Sequence, residues 1–485
     1  MTIVRAQIIG LRLRCAAAAL LCAALIGCAA LAPARPATAA DDSAIAGVDR
    51  AAVVDDPPAA PDPQPEPEPE SEPDPESEAA AASAQAAAEA AEPRRSAVDA
   101  VLAALSTEQR VGQLFMPAFP VDQRGRGLLA VDDNVRRLMQ QIQPGGVLLV
   151  GLNVDSTEQL TRLIQELQQN AALPLLIATD HEGGAVSRIS ASGKIPATSI
   201  PSPHVVGAVA DPALAYRLGA VIGRELRSLG IQVNFAPVAD LRTNPGNTVI
   251  GERSFGSDPE VVGRIVAALV RGMQQHGVAA VLKHFPGHGD TYEDSHYEAA
   301  TVRHSRQRLQ TVEMVPFRYG IDAGAIGVMT AHISVPAVTG DRTPATLSSE
   351  LLGPILRSEL GFGSLVFSDA LNMHALTRYY HRSRVALQAF EAGVDVLVHP
   401  ERPLEAYQTV LEAVQSGRIS AERLERSVRA ILEVKWDLGL LSGAPDAAEA
   451  RYDSAQLTVL GSAEHQAVAD EILLRYRRQQ SGAQQ

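Results

Sequence analysis

Between about residue 97 and residue 440 the chain alternates short apolar runs with amphipathic segments, and this rhythm limits the folds open to it. The runs cover 113–119, 146–151, 174–179, 233–240, 279–284, 326–332, 365–369 and 394–399. Several are rich in Val, Ile and Leu, as strands buried on both faces are. Helical stretches at 157–169, 212–229 and 259–275 lie between them. Asp211-Pro212 and Asp258-Pro259 each supply an N-cap followed by proline at the first helical position. Eight strands separated by helices predict an α/β fold, a single (β/α)8 TIM-type barrel. A doubly wound sheet would carry a glycine-rich phosphate loop after an early strand, and neither G-x-G-x-x-G nor G-x-x-x-x-G-K-[ST] occurs in that setting.

Such a barrel gathers its reactive groups where strands end. Asp180, Asp240, Lys283-His284, His332 and Asp369 all fall at or just beyond the ends of these runs. A single rim aspartate is as often a helix cap as a reactive group, but five separate runs ending in polar residues point to one site. The densest segment follows the apolar residues 278–282. Residues 283–296 hold one lysine, three histidines, three acidic side chains and two glycines. The chain has only three lysines, and Lys283 opens this loop.

The ends of the chain read differently. Arg5, Arg12 and Arg14 precede an Ala/Leu-rich run from Cys15 to Ile26, too short for an ordinary membrane span and suited to an export signal. It closes on Leu25-Ile26-Gly27-Cys28, which resembles a bacterial lipobox and implies that Cys28 becomes the lipidated first residue. The alternatives are cleavage after Ala37-Thr38-Ala39, giving a soluble exported protein, and an uncleaved anchor. Residues 1–27 are thus a signal peptide and 28–96 a disordered tether rich in Pro, Glu and Ala. Residues 41–95 carry 15 acidic and 3 basic side chains, −12 of the chain's net −14. The part expected to fold, 97–440, is only mildly acidic, which argues against a nucleic-acid partner. All three cysteines lie within the first 28 residues, so the folded region has no disulfide and no cysteine metal site. Residues 441–485 read as a short helical C-terminal extension packing on the barrel.

Five segments carry a resemblance: Asp180-His181-Glu182-Gly183-Gly184, Asn234-Phe235-Ala236-Pro237-Val238-Ala239-Asp240, Ile250-Gly251-Glu252-Arg253-Ser254-Phe255-Gly256, the loop 283–296 and Ser368-Asp369-Ala370-Leu371-Asn372-Met373. In order and spacing they are similar to glycoside hydrolase family 3, in its β-N-acetylhexosaminidase branch. The resemblance implies Asp369 as nucleophile, His296 as general acid/base and Asp294 as the carboxylate that orients the imidazole. It implies substrate contacts from Asp180, Arg188, Arg253, Lys283 and His284, and neither cofactor nor metal. His288 and Asp290 are expected to shape the loop. The implied activity is a retaining exo-β-N-acetylglucosaminidase acting on N-acetylglucosamine-containing glycans or muropeptides. The expected setting is a monomer held at the cell envelope by its lipid anchor. Alternatives are a β-N-acetylglucosaminide phosphorylase, a β-glucosidase of the same family, and a catalytically silent wall-binding lipoprotein. The chain departs from the pattern at His181, where glutamine is usual, at Ala185, where arginine is usual, and at Ala370, often an acid in relatives.

Overall fold

The computed structural model describes residues 92–191, 193–292, 300–441 and 454–482. Cys28, Asp294 and His296 lie outside the described residues. Eight parallel strands organise the fold: β1 (Phe115–Met116), β2 (Gly146–Leu149), β3 (Leu176–Thr179), β4 (Val233–Asn234), β5 (Ala279–Phe285), β6 (Gly327–Thr330), β7 (Leu365–Phe367) and β8 (Leu397–Val398). Strands β2 to β7 form one curled sheet in chain order, with registers such as Val147↔Ile177, Val233↔Ala279, Val281↔Gly327 and Val366↔Val328. β1 pairs with β8 at Phe115↔Leu397. Parallel bridges at Ala118↔Leu148 and Phe367↔Val396 link that pair to the two edges of the sheet. Every residue of these strands is buried, as expected where helices cover one face and neighbouring strands the other.

The strand interior packs closely. Phe235 and Phe367 meet edge to face with centroids 5.6 Å apart. Gly327 sits where a Cβ would come within 2.6 Å of Val281 Cγ2 and 2.9 Å of Phe367, so only glycine fits. Burying an aliphatic side chain contributes ~1.5–3 kcal/mol, and these strands present little else.

The helices follow their caps. α1 (Thr157–Gln169) starts at Ser156, whose hydroxyl accepts from Gln159 N. α2 (Pro212–Ser228) and α3 (Pro259–Gln274) start at Asp211 and Asp258, each accepting two backbone N–H groups. α4 (Ala421–Asp437) lies against the segment entering β1, with Lys435 Nζ buried and 2.7 Å from Gln113 Oε1. α5 (Ala463–Gly482) docks on α2. There the buried Glu225 accepts from Thr198 N, Thr198 Oγ1, Gly461 N and His465 Nδ1 at 2.6–3.0 Å. Arg217–Glu471 and Arg475–Asp211 add outer ion pairs. No described helix is long and apolar enough to cross a membrane.

Candidate active site

Beyond Thr179 the chain leaves β3 still extended, so residues two apart face the same side. Asp180 and Glu182 therefore both enter one cavity, while His181 between them is buried, its pKa pushed down to about 4 by burial. Asn234, at the end of β4, fixes this segment: its side chain accepts from His181 N at 2.9 Å and donates to His181 O at 3.0 Å. A hairpin then turns the chain back at His181↔Ser187 and delivers Arg188 to the cavity wall.

Strand β5 supplies the next groups. Lys283 Nζ lies 2.7 Å from Asp180 Oδ1 and 2.6 Å from Glu182 Oε1. Arg253 grips Glu182 with Nε and Nη2, both at 2.8 Å, a bidentate pair of the strong kind. Burial opposes the Glu182 charge, but Lys283 and Arg253 outweigh it and bring its pKa down to about 2. Burial likewise disfavours the Lys283 ammonium, and the carboxylates of Asp180 and Glu182 overcome that, raising its pKa.

His284 is held from below by Asp240, which is fully buried. Asp240 Oδ2 is 2.6 Å from His284 Nδ1, and the same carboxylate accepts from His284 N and His288 N. Arg253 Nη2 stands 3.3 Å from His284 Nε2. The loop after β5 is packed tightly: a Cβ at Gly289 would fall 1.5 Å from the Leu241 carbonyl oxygen. His288 Nδ1 pairs with Thr291 Oγ1 at 2.8 Å, and Asp290 Oδ2 lies 2.9 Å from His304 Nε2. Both thus bind loop segments together, and His288 also lines the cavity.

Asp369 follows β7 and lines the same cavity, half-buried. Desolvation would raise its pKa. His332, His284, the Ala370 N–H and Lys283 outweigh that effect and hold the carboxyl below its ordinary value of 3.8. Asp369 is therefore ionised at neutral pH, facing Lys283, His284 and Arg253 across a cavity of about 540 Å³. A cavity of this size suits a small-molecule ligand. The buried Nε of Arg188 has no hydrogen-bond partner among the described residues, leaving a donor for a ligand.

All six expected site residues that are described, Asp180, Arg188, Arg253, Lys283, His284 and Asp369, line this single cavity. The sequence reading missed Glu182, which engages Lys283 and Arg253 together. The two-residue period of an extended segment beginning at Asp180 was the signal for it. It also left Asp240 without a role, and nothing local in the sequence pairs Asp240 with a histidine 44 residues later. His399, at the end of β8 with φ +44, lines the wall as well. Among the described residues no cluster of histidine, cysteine or carboxylate groups has the arrangement of a metal site. Chemically, an ionised carboxylate facing fixed donors and acceptors can bind a polyhydroxylated ring and meet positive charge developing on it.

Known proteins share this sequence and shape. Residues 106–434 match the family described as Glycosyl hydrolase family 3 N terminal domain. The chain is 33% identical over 376 residues to Beta-hexosaminidase A of Pseudoalteromonas piscicida, covering 70% of this chain and 62% of that relative, so it spans less than two thirds of the relative's length. It is 37% identical over 334 residues to Beta-hexosaminidase of Stenotrophomonas maltophilia strain K279a, covering 67% of this chain and 93% of the other. The solved structure of a glycoside hydrolase family 3 beta-N-acetylglucosaminidase from Paenibacillus sp. superposes with a TM-score of 0.70 at 42% identity, over 77% of this chain and 69% of that one. With two thirds of its length matched by the family, this chain belongs to glycosyl hydrolase family 3.

Proposed function

We propose that the chain is a retaining exo-β-N-acetylglucosaminidase built on a single (β/α)8 barrel. The observation that carries the reading is the ionised Asp369 facing the Lys283–Asp180–Glu182–Arg253 array across one sugar-sized cavity. Its likeness to the Paenibacillus beta-N-acetylglucosaminidase and to the two beta-hexosaminidases supports the N-acetylated substrate. In this reading Asp369 attacks the anomeric carbon as the bond to the leaving oxygen breaks, giving a covalent glycosyl ester. His296, oriented by Asp294, gives its proton to the leaving oxygen. It then takes a proton from a water that attacks the anomeric carbon as the bond to Asp369 breaks, which frees the carboxylate and releases the sugar with its configuration retained. Asp180, Arg188, Arg253, Lys283 and His284 bind the sugar hydroxyls. Positioned proton transfer contributes ~10²–10⁴-fold.

The proposed domain order is a signal peptide at 1–27, a tether at 28–96, the hydrolase domain at 97–440 and a helical tail at 441–485. Lipidated Cys28 would hold the enzyme, as a monomer, at the envelope. There it would meet peptidoglycan-derived glycans ending in N-acetylglucosamine. The test is to assay the full chain on aryl β-N-acetylglucosaminide and aryl β-glucoside, with and without phosphate, beside Asp369→Ala. Hydrolysis of the first substrate only, lost in the variant, is expected. Preference for the glucoside, or turnover only with phosphate, would sink the reading.

A further inference from the structure

We propose that His332 is the positioning residue for Asp369, holding the peptide beside the carboxylate in the orientation that attack requires. The inference rests on the reading of Asp369 as nucleophile. His332 is fully buried just beyond β6, and its ring reaches across to the next strand's rim. Its Nε2 lies 2.9 Å from the carbonyl oxygen of Ala370, which can only accept, so Nε2 carries the proton and donates it. On the other side of the same residue, Ala370 N–H donates to Asp369 Oδ1 at 2.7 Å. The two peptide planes that meet at Ala370 are thus tied, one to His332 and one to the nucleophile itself.

The far end of the ring is anchored as well. His332 Nδ1 is 2.8 Å from Thr346 Oγ1, which is 2.8 Å from Thr330 Oγ1. The carbonyl of that same Thr330 accepts Asp369 N at 3.2 Å. The Asp369–Ala370 segment therefore hangs between the Thr330 main chain at the end of β6 and the His332 ring just beyond it, and Thr346 joins the two points. His332 is not among the residues that line the cavity. Through Ala370 it sets the place of the carboxylate, where a misplacement of about 1 Å costs on the order of 10²-fold in rate.

The experiment compares the full chain with His332→Leu, His332→Gln and Asp369→Ala, on whichever aryl β-glycoside the parent cleaves fastest. That choice keeps the result independent of the N-acetyl preference. Leucine removes the donor, and kcat is expected to fall about 10- to 100-fold with KM changed less than about 3-fold. Glutamine places an amide N–H near the position of Nε2 and is expected to restore most of kcat. Thermal unfolding of each variant separates lost positioning from lost fold: Leu and Gln variants melting alike but differing in kcat support the role. His332→Leu with the parent's kcat, beside an inactive Asp369→Ala, would overturn the inference and leave the nucleophile in place. A Gln variant no better than Leu, both melting early, would reduce His332 to a structural side chain. Full activity in Asp369→Ala would remove the nucleophile and this inference together.

Discussion

Glu182 and Asp369 have opposite tasks in one cavity, and pH separates them. Glu182 holds Lys283 and Arg253, and removing one partner of a buried ionic cluster costs ~3–5 kcal/mol. Glu182→Gln is therefore expected to lower the melting temperature and to cut kcat/KM at least tenfold at pH 7. Its folded pKa of about 2 lies below the ordinary 4.5. The stability it contributes is thus complete above pH 4.5 and is lost as pH falls toward 2. The melting-temperature gap between parent and variant should close over that interval, and a gap unchanged by acid would contradict the assignment. Asp369 is also held below 3.8, so the proposed nucleophile stays ionised into acid. The acid limb it imposes on kcat/KM should lie below pH 3.8, read from rates between pH 3 and 7. All five of Asp180, Asp240, Lys283, His332 and Asp369 were legible as rim positions, and the family resemblance gave roles to Asp369, Asp180 and Lys283. Asp240 and His332 stayed without roles, because those depend on rings and carbonyls from other strands.

At the scale of elements, helices were more legible than strands. The expected helix at 157–169 is observed as Thr157–Gln169, and the aspartate caps at 211 and 258 both make their hydrogen bonds. These features are local, and local chemistry sets them. The run 233–240 contracts to the two-residue strand Val233–Asn234, with one further bridge at Val238↔Lys283. Pro237 has no N–H to give a ladder, and burial of the whole run hides where pairing stops. Helix α4 carries a second element-scale consequence. Burial pushes Lys435 down to about 7 from an ordinary 10.5. The charged form favours the unfolded chain, so the cost is complete below pH 7, shrinks as pH rises, and is gone above 10.5. Relative to Lys435→Met, the parent should gain stability between pH 7 and 10.5, measured by denaturant unfolding at pH 6.5 and 9.5. A difference that stays constant across that range would mean the ammonium is not desolvated.

Taken whole, the molecule keeps its chemistry at one end of the strands and its tail on the flank. Helix α5 buries Val468 and Ile472 and completes the partners of Glu225. Removing residues 442–485 should lower the melting temperature by several degrees, since each aliphatic side chain exposed costs ~1.5–3 kcal/mol. The cavity residues do not include any from α5, so kcat/KM at low temperature should stay within about twofold of the parent. Residues 41–95 carry −12 of the net −14, and the charges of the cavity floor cancel one another at contact distance. Lys283 and Arg253 each hold a carboxylate at 2.6–2.8 Å. A neutral sugar entering this cavity carries no charge of its own and meets pairs too close and too buried for dissolved ions to screen. The enzyme should therefore be nearly indifferent to ionic strength, with the same KM for an uncharged glycoside in dilute buffer and in brine.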